Sequence, residues 1–471
     1  MLVEPRRPGV VRNSPFAPWL VVGAVSVGAF MGQLDASIVT LAFPTLRQAF
    51  HASLGSVQWV AQAYLLVLVG TLAAVGRFAD MAGRKLLYIY GFVVFVAGSA
   101  LCGAAPNLQL LIVFRVIQGF GAAMLQANSV AIIASATPKH QLGRALGVQG
   151  AAQALGLALG PAIGGLLIAL AGWRLVFLVN VPVGLAATLL AWLFVPRSRD
   201  LASRARFDWV GLGLFVPGIC ALLLSISFGD RYGWSSGIIV SGFLAAMVLL
   251  AGFGARERHT QSPMLDLSLL RKPAFGAGIA SGLLSYLVLF GTLTVAPFLL
   301  EVGHRQTTGH AGIELFLLPL GVGVAAPLAG RLSDEVGARP LTVAGMLVAS
   351  AALAGTALSY GSLALMLPLF AIAGLGIGSF TPPNNAAIMG AVPKDQRGVA
   401  SGVLNMTRGL GTSLGLALAS LAYTAGAGSG AASEAAARDG YRNAAWLLAG
   451  AALLAAMIAA VRKRPRVELS G

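Results

Sequence analysis

Long apolar stretches alternate with short polar breaks along the whole chain. A bilayer-spanning helix needs about 20 predominantly apolar residues, and runs of about that length recur throughout. They fall at residues 18–43, 57–76, 86–105, 108–136, 143–170, 175–195, 209–229, 236–255, 274–300, 312–330, 341–359, 363–390, 398–424 and 442–461. The pattern predicts an all-α integral membrane protein with fourteen transmembrane helices. Because most connections are short, neighbouring helices are expected to be antiparallel.

The two halves of the chain repeat each other at an offset of about 254 residues. The segment Gly76–Lys85, GRFADMAGRK, returns as GRLSDEVGAR from Gly330, and TPKHQLGRALG from Thr137 aligns with VPKDQRGVASG from Val392. Parallel repeats of this kind are typical of transporters built from two similar bundles. The sequence therefore predicts two six-helix bundles around a central cavity, formed by helices 1–6 and 9–14. Helices 7 and 8 are left as an insert, a 6+2+6 plan.

This plan sets the predicted domain boundaries. Residues 18–196 form the N-terminal bundle and residues 274–461 the C-terminal bundle. Residues 197–273 hold the two inserted helices with their flanking basic loops, and residues 1–17 and 462–471 are the terminal segments. The first apolar run has no small-residue cleavage site, so it is interpreted as the first span and not as a signal peptide.

Composition and charge support a membrane protein. The chain of 471 residues is 57% hydrophobic and 10% charged, with a mean hydropathy of +0.82, too little charge to cover a soluble protein. Its net charge of +16 would favour nucleic acid as a partner in a soluble protein. However, about 24 of the 32 Lys and Arg residues lie in alternate connections and at the two ends. This bias follows the positive-inside rule and predicts that both termini are cytoplasmic, with no nucleic-acid partner.

Asp35 is the only acid deep inside an unambiguous apolar stretch. A charged side chain at the bilayer centre costs about 3 kcal/mol, so it is expected to face a partner or a water-filled cavity. Arg115, in the fourth stretch, is the available partner. A carboxylate that alternates between partner and water can bind and release a proton. The alternative is a fixed ion pair that only holds two helices together.

The polar turn between helices 2 and 3 places an acid among basic residues at two helix ends. Its carboxylate can cap a helix N-terminus or pair across the two bundles, which predicts a gate that holds the cytoplasmic side closed. A solvated, positively charged loop is the alternative. The residues of the predicted gate are Gly76, Arg77, Asp80, Gly83, Arg84, Lys85 and, in the second copy, Asp334.

The fifth stretch contains an unusual pattern of small residues: Gly156, Gly160, Pro161, Gly164 and Gly165. Glycines four apart lie on one helix face and permit close packing, and proline removes a backbone hydrogen bond and kinks the helix. The second half keeps the corresponding glycines 411 and 415 but has leucine in place of the proline. The sequence therefore predicts a kink in one half only.

Polar and aromatic side chains in or beside other spans are candidates for a substrate cavity: Trp59, Tyr64, Gln118, Gln126, Glu314, Asn384 and Arg408. Two of them have open interpretations, because Glu314 at a helix start can be a dipole partner and Arg408 needs a partner that the sequence does not identify. The histidines lack metal-ligand spacing, and no phosphate-binding loop is present. No metal, cofactor or ATP-driven step is expected. Cys102 and Cys220 lie in apolar runs and do not indicate a disulfide.

These motifs, in this order, resemble the major facilitator superfamily and specifically its fourteen-helix drug/proton antiporter group. Gly76–Lys85 is similar to the family's signature between helices 2 and 3, and Arg115 with its neighbours to the helix 4 signature. Gly156–Gly165 resembles the helix 5 pattern associated with antiporters. Leu34–Pro44, together with Trp59 and Tyr64, resembles motifs of the fourteen-helix group. The resemblance covers roughly residues 15–460.

The resemblance implies export of small amphipathic compounds, cations among them, in exchange for protons across a bacterial inner membrane. It implies a monomer that works by alternating access, with Asp35 and Arg115 in proton coupling. Some group members carry an acid in helix 13, where this chain has Arg408, so cation specificity is not implied. A dedicated exporter of one metabolite or natural product, and a proton symporter, are alternatives. A membrane-embedded enzyme would need a cluster of His, Asp or Glu at one membrane face, which the sequence does not provide.

Overall fold

The structure is a computed structural model. It describes residues 4, 7–198, 207–260, 263–427 and 433–461, without the side chains of residues 10, 40, 41, 44, 54, 55, 161, 230, 231, 308 and 309. The predicted C-terminal tail, residues 462–471, lies outside this range. The described residues form helices joined by short connections.

Thirteen helices in the described ranges are long and apolar enough to cross a membrane, and a bent fourteenth completes the set when its two arms count as one span. The number agrees with the fourteen apolar stretches of the sequence. The helices are α1 (Ala17–Leu41), α2 (Leu54–Ala82), α3 (Arg84–Gly103), α4 (Leu108–Ala136), α5 (Leu142–Ala171), α6 (Arg174–Phe194), α7 (Trp209–Tyr232), α8 (Gly237–His259), α9 (Pro273–Phe298), α10 (His310–Val336), α11 (Ala338–Leu358), α12 (Leu363–Gly390), α13 (Arg397–Ala427) and α14 (Glu434–Ala460).

The first span differs from the prediction. The apolar run extends to residue 43, but α1 ends at Leu41 and Phe43–Phe50 forms a separate short helix. A proline in the first turn suits this start, because no N–H is needed there. His51, with a φ of 48°, ends it. Hydropathy alone does not show where an apolar run changes direction.

Polar residues at helix starts keep the connections short. The Ser53 hydroxyl accepts a hydrogen bond from Ser56 N at 3.2 Å at the start of α2, and Asn107 Oδ1 accepts one from Leu110 N at 2.9 Å at the start of α4. Such caps satisfy backbone donors that have no partner inside the helix. A helix can therefore begin directly after its turn.

Helices α1–α6 pack on one another, and helices α9–α14 repeat the same pairings. Thus α1 contacts α4, α5 and α6, as α9 contacts α12, α13 and α14. Likewise α4 packs on α2 and α3, as α12 packs on α10 and α11. The two groups meet mainly where α2 contacts α13 and α5 contacts α10. The pair α7 and α8 joins them through α7, which contacts α2 and α13.

One end of the helix array, called the basic face below, is where α2 and α10 end and α5 and α13 begin. The tight turns that leave it towards α3 and α11 are built on Gly83 and Gly337, with φ values of 116° and 86°. Only glycine adopts such values without strain. The two turns occupy equivalent positions in the sequence repeat, and both halves therefore use a glycine with positive φ at this point.

Gly337→Ala is expected to destabilise the protein by about 1–2 kcal/mol, the cost of a side chain in the left-handed region. A Cβ at this position meets no atom within 4 Å, so backbone strain is the sole cause. The unfolding temperature in detergent measures the effect. Gly312→Ala is the matched control, because this helical glycine is equally unobstructed and has an ordinary φ; alanine there should leave the temperature equal or higher. Equal temperatures for the two variants would contradict the strained turn.

Candidate functional site

Asp35 lies near the end of α1 that points away from the basic face, with no exposed surface. Its carboxylate accepts three hydrogen bonds from two other helices. From α4, Arg115 Nη1 donates to Oδ2 at 2.8 Å and Gln118 Nε2 donates to Oδ1 at 2.9 Å. From α6, Asn180 Nδ2 donates to Oδ1 at 2.9 Å. The protein itself therefore holds Asp35 as a charged acceptor in the interior of α1–α6.

Arg115 joins this carboxylate to a third helix. It is 1% exposed, and its Nε donates to the carbonyl of Val60 on α2 at 2.9 Å. Its Nη1 also donates to Gln118 Oε1 at 2.6 Å. The guanidinium lies over the ring of Tyr64, with Cζ 4.1 Å from the ring centroid, and an aromatic face stabilises a desolvated cation. The ion pair thus connects α1, α2 and α4.

Two partners in this network had no assigned role in the sequence interpretation. Ser99 Oγ accepts a hydrogen bond from Gln118 Nε2 at 2.7 Å, which orients the amide towards Asp35. Asn180 follows the break in α6 at residue 179. It is the one polar residue in the run LVFLVNVPVGL. The physical rule that singles out Asp35, that polar groups inside apolar spans need partners, also applies to Asn180.

Asp80, near the end of α2, connects the two helix groups at the basic face. Its carboxylate accepts hydrogen bonds from Gly398 N at 2.8 Å and Val399 N at 2.9 Å, in the first turn of α13. Arg84 donates to the same carboxylate from Nε at 2.9 Å and from Nη2 at 2.6 Å. Asp80 therefore both caps a helix and links the two groups, the two possibilities that the sequence left open.

The two helix groups meet along two seams, one between α2 and α13, where Asp80 lies, and one between α5 and α10. Asp334 makes the equivalent contact at the α5–α10 seam. Its carboxylate accepts hydrogen bonds from Gly143 N at 2.7 Å and Arg144 N at 2.9 Å. It is partly exposed, and no salt bridge to it is present among the described residues. Ala338 occupies the position that corresponds to Arg84. The two seams share a geometry but differ in charge.

Glycines bring the backbones together at both seams. A Cβ at Gly76 would overlap the backbone of Gly398, and a Cβ at Gly143 would overlap that of Gly330. The two approaches are equivalent under the sequence repeat. Together with Asp80 and Asp334, they hold the two helix groups in contact at the basic face.

Other predicted gate residues lie away from the seam between α2 and α13. Gly83 forms the turn, and Lys85 Nζ donates to the carbonyl of Trp192 at 2.8 Å. Lys85 thus ties α3 to α6 within one helix group. Arg77 is buried, and its Nε has no hydrogen-bond partner among the described residues. The residues that meet across the seam are Gly76, Asp80 and Arg84, the last through its Nη2, which also donates to Lys394 O at 2.6 Å.

The small residues of α5 pack against α1. A Cβ at Gly156 or Gly160 would overlap atoms of the α1 segment 30–37. Gly164 is also buried, whereas Gly165 faces open space and does not share that contact. The helix bends by 45° between Lys139–Gly160 and Ala162–Ala171. Residue 161, where the sequence predicts a kink, lies at this bend, but the side chain of Pro161 lies outside the description.

The candidate cavity residues fall into separate places. Tyr64 and Gln118 belong to the Asp35 network. Trp59 instead faces α7, where its ring lies 5.5 Å from that of Phe228, centroid to centroid. Glu314 lies in the first part of α10, and its Oε2 is buried without a hydrogen-bond partner among the described residues.

The remaining candidates lie close to the seam between α4 and α13. The carbonyl of Gln126 accepts a hydrogen bond from Asn405 Nδ2 at 2.9 Å. Asn384 and Arg408 line one small cavity of about 10 Å³, room for a single water molecule. A larger groove of about 1810 Å³ lies beside α2, α3, α4 and α7 at the basic face, and Asp35 and Arg408 are not among its lining residues. The cavity beside Arg408 is thus too small for an organic substrate in this conformation.

In the part of the chain that the structure describes, no group of three or more His, Cys, Asp or Glu side chains is placed to hold a metal ion.

Comparison with known proteins identifies relatives over most of the chain. The sequence profile of the Major Facilitator Superfamily matches residues 25–210 and 278–470. The segment between the two matches, residues 211–277, contains all of α8 and most of α7.

Two bacterial proteins illustrate the range of relatives. The chain is 32% identical over 401 residues to the riboflavin transporter RibZ of Clostridioides difficile, and the alignment covers 85% of this chain and 87% of RibZ. It is also 32% identical over 401 residues to the multidrug resistance protein Stp of Mycobacterium tuberculosis, and this alignment covers 85% of this chain and 74% of Stp. Among solved structures, the human organic anion transporter MFSD10 superposes with a TM-score of 0.66 at 17% identity, covering 95% of this chain and 100% of that one. At that identity the likeness concerns the fold.

Proposed function

The chain belongs to the major facilitator superfamily, whose members are multi-pass membrane transporters and not enzymes, and from this premise we propose that it is a proton-coupled exporter of small amphipathic compounds. The observation that carries the proposal is the fully buried carboxylate of Asp35 in its network with Arg115, Gln118 and Asn180. A buried acid that is held only by charge and hydrogen bonds is a natural proton acceptor when those bonds open.

The proposed architecture is that of the fourteen-helix drug/proton antiporter group. Residues 18–196 and 274–461 form two bundles, and residues 197–273 contribute the inserted pair. The repeated helix pairings support this division, as does the gap at residues 211–277 in the family match. The distribution of Lys and Arg supports a cytoplasmic basic face, with both termini on that side. The bacterial relatives support placement in a bacterial inner membrane, where the chain acts as a monomer.

In the proposed cycle, this conformation is the one closed to the cytoplasm. A proton that enters from outside neutralises Asp35 and weakens its hold on Arg115, and substrate leaves outward. The helix bundles then rock, the Asp80 and Asp334 contacts open, and the proton leaves to the cytoplasm. Helix α2 links the two sites, because it carries both Val60, bonded to Arg115, and Asp80, about 30 Å apart along the helix.

The energy available is sufficient for export. One proton moving through 100 mV supplies about 2.3 kcal/mol. Since about 1.4 kcal/mol corresponds to a tenfold concentration ratio, one proton sustains a roughly 50-fold gradient of a neutral solute. The glycine pattern of α5 favours antiport over symport.

A dedicated exporter of one compound is the second candidate. It is favoured by RibZ, a relative named for one substrate and as similar as the multidrug resistance protein. The two candidates share the fold and the coupling site. They differ in how many compounds the open cavity accepts.

Uptake of dyes into everted membrane vesicles tests the proposal. With an imposed acidic interior, vesicles that contain the protein are expected to accumulate at least one of riboflavin, fluorescein and rhodamine 123, and a protonophore should abolish the accumulation. Vesicles without the protein are the control. Accumulation of several dyes supports multidrug export, and riboflavin alone supports a dedicated exporter. Accumulation that resists the protonophore would overturn proton antiport.

A further inference from the structure

Arg408 is a buried cation in the second helix group, and no acidic partner contacts it among the described residues. It lies on α13 and is 8% exposed. Its Nη1 donates to Asn405 Oδ1 at 2.9 Å, and its Cζ lies 5.3 Å from the ring centroid of Tyr286. Throughout the described ranges, no carboxylate forms a salt bridge with Arg408.

Two other buried arginines do form ion pairs and show what Arg408 lacks. Arg84 and Arg115 each contact a carboxylate with no exposed surface, Asp80 and Asp35. Burial of an unpaired charge is unfavourable by several kcal/mol, and Arg does not lose its proton to avoid this cost. A neutral amide oxygen and an aromatic face offset only part of it. The site therefore favours a negative charge.

Arg408 is positioned where the two helix groups separate. It lies eleven residues into α13, about 17 Å along the helix and thus about half the thickness of the hydrocarbon core. Asn405, three residues earlier and on the same helix face, contacts the Gln126 carbonyl of α4 across the seam at 2.9 Å. Opening of that seam would expose Arg408 at the level where alternating access places a substrate.

The surroundings of Arg408 resemble a recognition site for an amphipathic anion. Its small cavity is lined by amide and hydroxyl groups from Asn384, Asn385 and Thr407, with Tyr286 on one side. No Asp or Glu is among the lining residues. An acidic substrate group would meet a charged donor with amides beside it, and the ring of Tyr286 would contact the apolar body.

We propose that Arg408 binds the acidic group of the exported compound, so that the substrates are amphipathic anions bearing a carboxylate, sulfonate or phosphate. This inference rests on the proposed export function. It replaces the expectation from the sequence that cations are among the substrates. Tyr286 then acts as a platform for aromatic or apolar parts of the substrate. Proton coupling remains with Asp35.

Equilibrium binding of two related dyes to the detergent-solubilised protein tests the proposal. Fluorescein and rhodamine 123 share a xanthene ring system but are anionic and cationic, and fluorescence anisotropy gives both Kd values. The wild type is expected to bind fluorescein at least about ten-fold more tightly, the lower end for a charged hydrogen bond. Arg408→Gln should remove this preference, and Arg408→Lys should keep part of it. Arg442→Gln, which removes the same charge from a partly exposed pair with Asp439, should keep all of it.

Thermal unfolding separates substrate binding from a structural role. If Arg408 stabilised the fold, Arg408→Gln would lower the unfolding temperature. An anion site predicts an equal or higher temperature for the empty variant, because an unpaired buried charge has been removed. Fluorescein should raise the unfolding temperature of the wild type but not that of the variant.

Equal affinity for the two dyes, no binding of fluorescein by the wild type, or an unchanged preference in Arg408→Gln would each overturn the anion site. The binding measurement needs no gradient and no turnover. An anion preference that depends on Arg408, combined with vesicle uptake that resists the protonophore, would keep the site and reject proton-coupled export.

Discussion

Replacement of Asp35 by asparagine is expected to abolish uphill export while the protein remains inserted in the membrane. Asparagine keeps the size of the side chain and one acceptor oxygen, but it neither binds a proton nor carries the charge that holds Arg115. Proton and substrate gradients are then no longer linked. Dye accumulation in everted vesicles under an imposed pH gradient, normalised to inserted protein, should fall to the level of vesicles without the protein.

The same substitution also affects stability, because it removes one member of a buried ion pair. Such a loss typically costs about 3–5 kcal/mol, so inactivity has to be separated from unfolding. The double variant Asp35→Asn with Arg115→Met removes both charges and should recover much of the lost unfolding temperature. It should nevertheless remain inactive in uphill transport.

Asp35→Glu is the matched control, because it changes the length of the side chain at position 35 but keeps its carboxylate. It keeps a titratable carboxylate near Arg115, and part of the uphill transport should survive. Uphill accumulation by the double variant would mean that the proton binds elsewhere. Glu314, whose carboxylate has a buried oxygen, would then be the next residue to test.

The transmembrane spans and the Asp35–Arg115 ion pair were predictable from the sequence. The spans depend on local apolar length, and the ion pair depends on the small number of charged residues inside the spans. Apolar length is set by bilayer thickness, so the stretches at 363–390 and 86–105 coincide closely with α12 and α3. The contact of Asp35 with Arg115 follows from scarcity, since only a few charges lie inside apolar spans and each needs a partner. That the pair moves a proton stays a prediction.

The gate was only half predictable. The sequence indicated that Asp80 could cap a helix or pair across the bundles, but not which backbone it meets. Its partners are the N–H groups of Gly398 and Val399, and backbone donors leave no mark in a sequence. For the same reason, nothing in the residue pattern assigned Lys85 to the carbonyl of Trp192.

Arg408 marks the limit of reasoning from one sequence. A buried arginine requires compensation, and the sequence offers no acid in the neighbouring turns of its helix. The structure shows an amide and an aromatic ring in that place. Whether compensation comes from the fold or from a substrate depends on three-dimensional packing, which hydropathy does not encode.

Asp80→Asn is expected to open the basic face, and more so than Asp334→Asn. The Asp80 carboxylate has no exposed surface and accepts from Arg84, Gly398 and Val399. An amide offers one acceptor oxygen and leaves Arg84 without its counter-charge, at a cost of about 3–5 kcal/mol to the closed state. Asp334 is partly exposed, and within the described ranges its carboxylate accepts from two backbone donors. Its replacement should therefore cost about 1–3 kcal/mol.

Labelling of a cysteine at Ser401 measures the opening. Ser401 is buried on α13 beside the α2–α13 seam, and its Oγ has no hydrogen-bond partner among the described residues. Ser401→Cys is therefore a mild change. Cys102 and Cys220 are replaced by alanine so that the new cysteine is the one labelled. A water-soluble maleimide applied to everted vesicles reaches this site only when the basic face opens. Its reaction should be at least about 100-fold faster with Asp80→Asn, with a smaller increase for Asp334→Asn and none for the partly exposed control Asp439→Asn. Among the described residues of the two seams, Asp80 combines a helix cap with a buried guanidinium, and Asp334 does not. Faster labelling in Asp334→Asn than in Asp80→Asn would therefore contradict the prediction and show that the α5–α10 seam carries the closure.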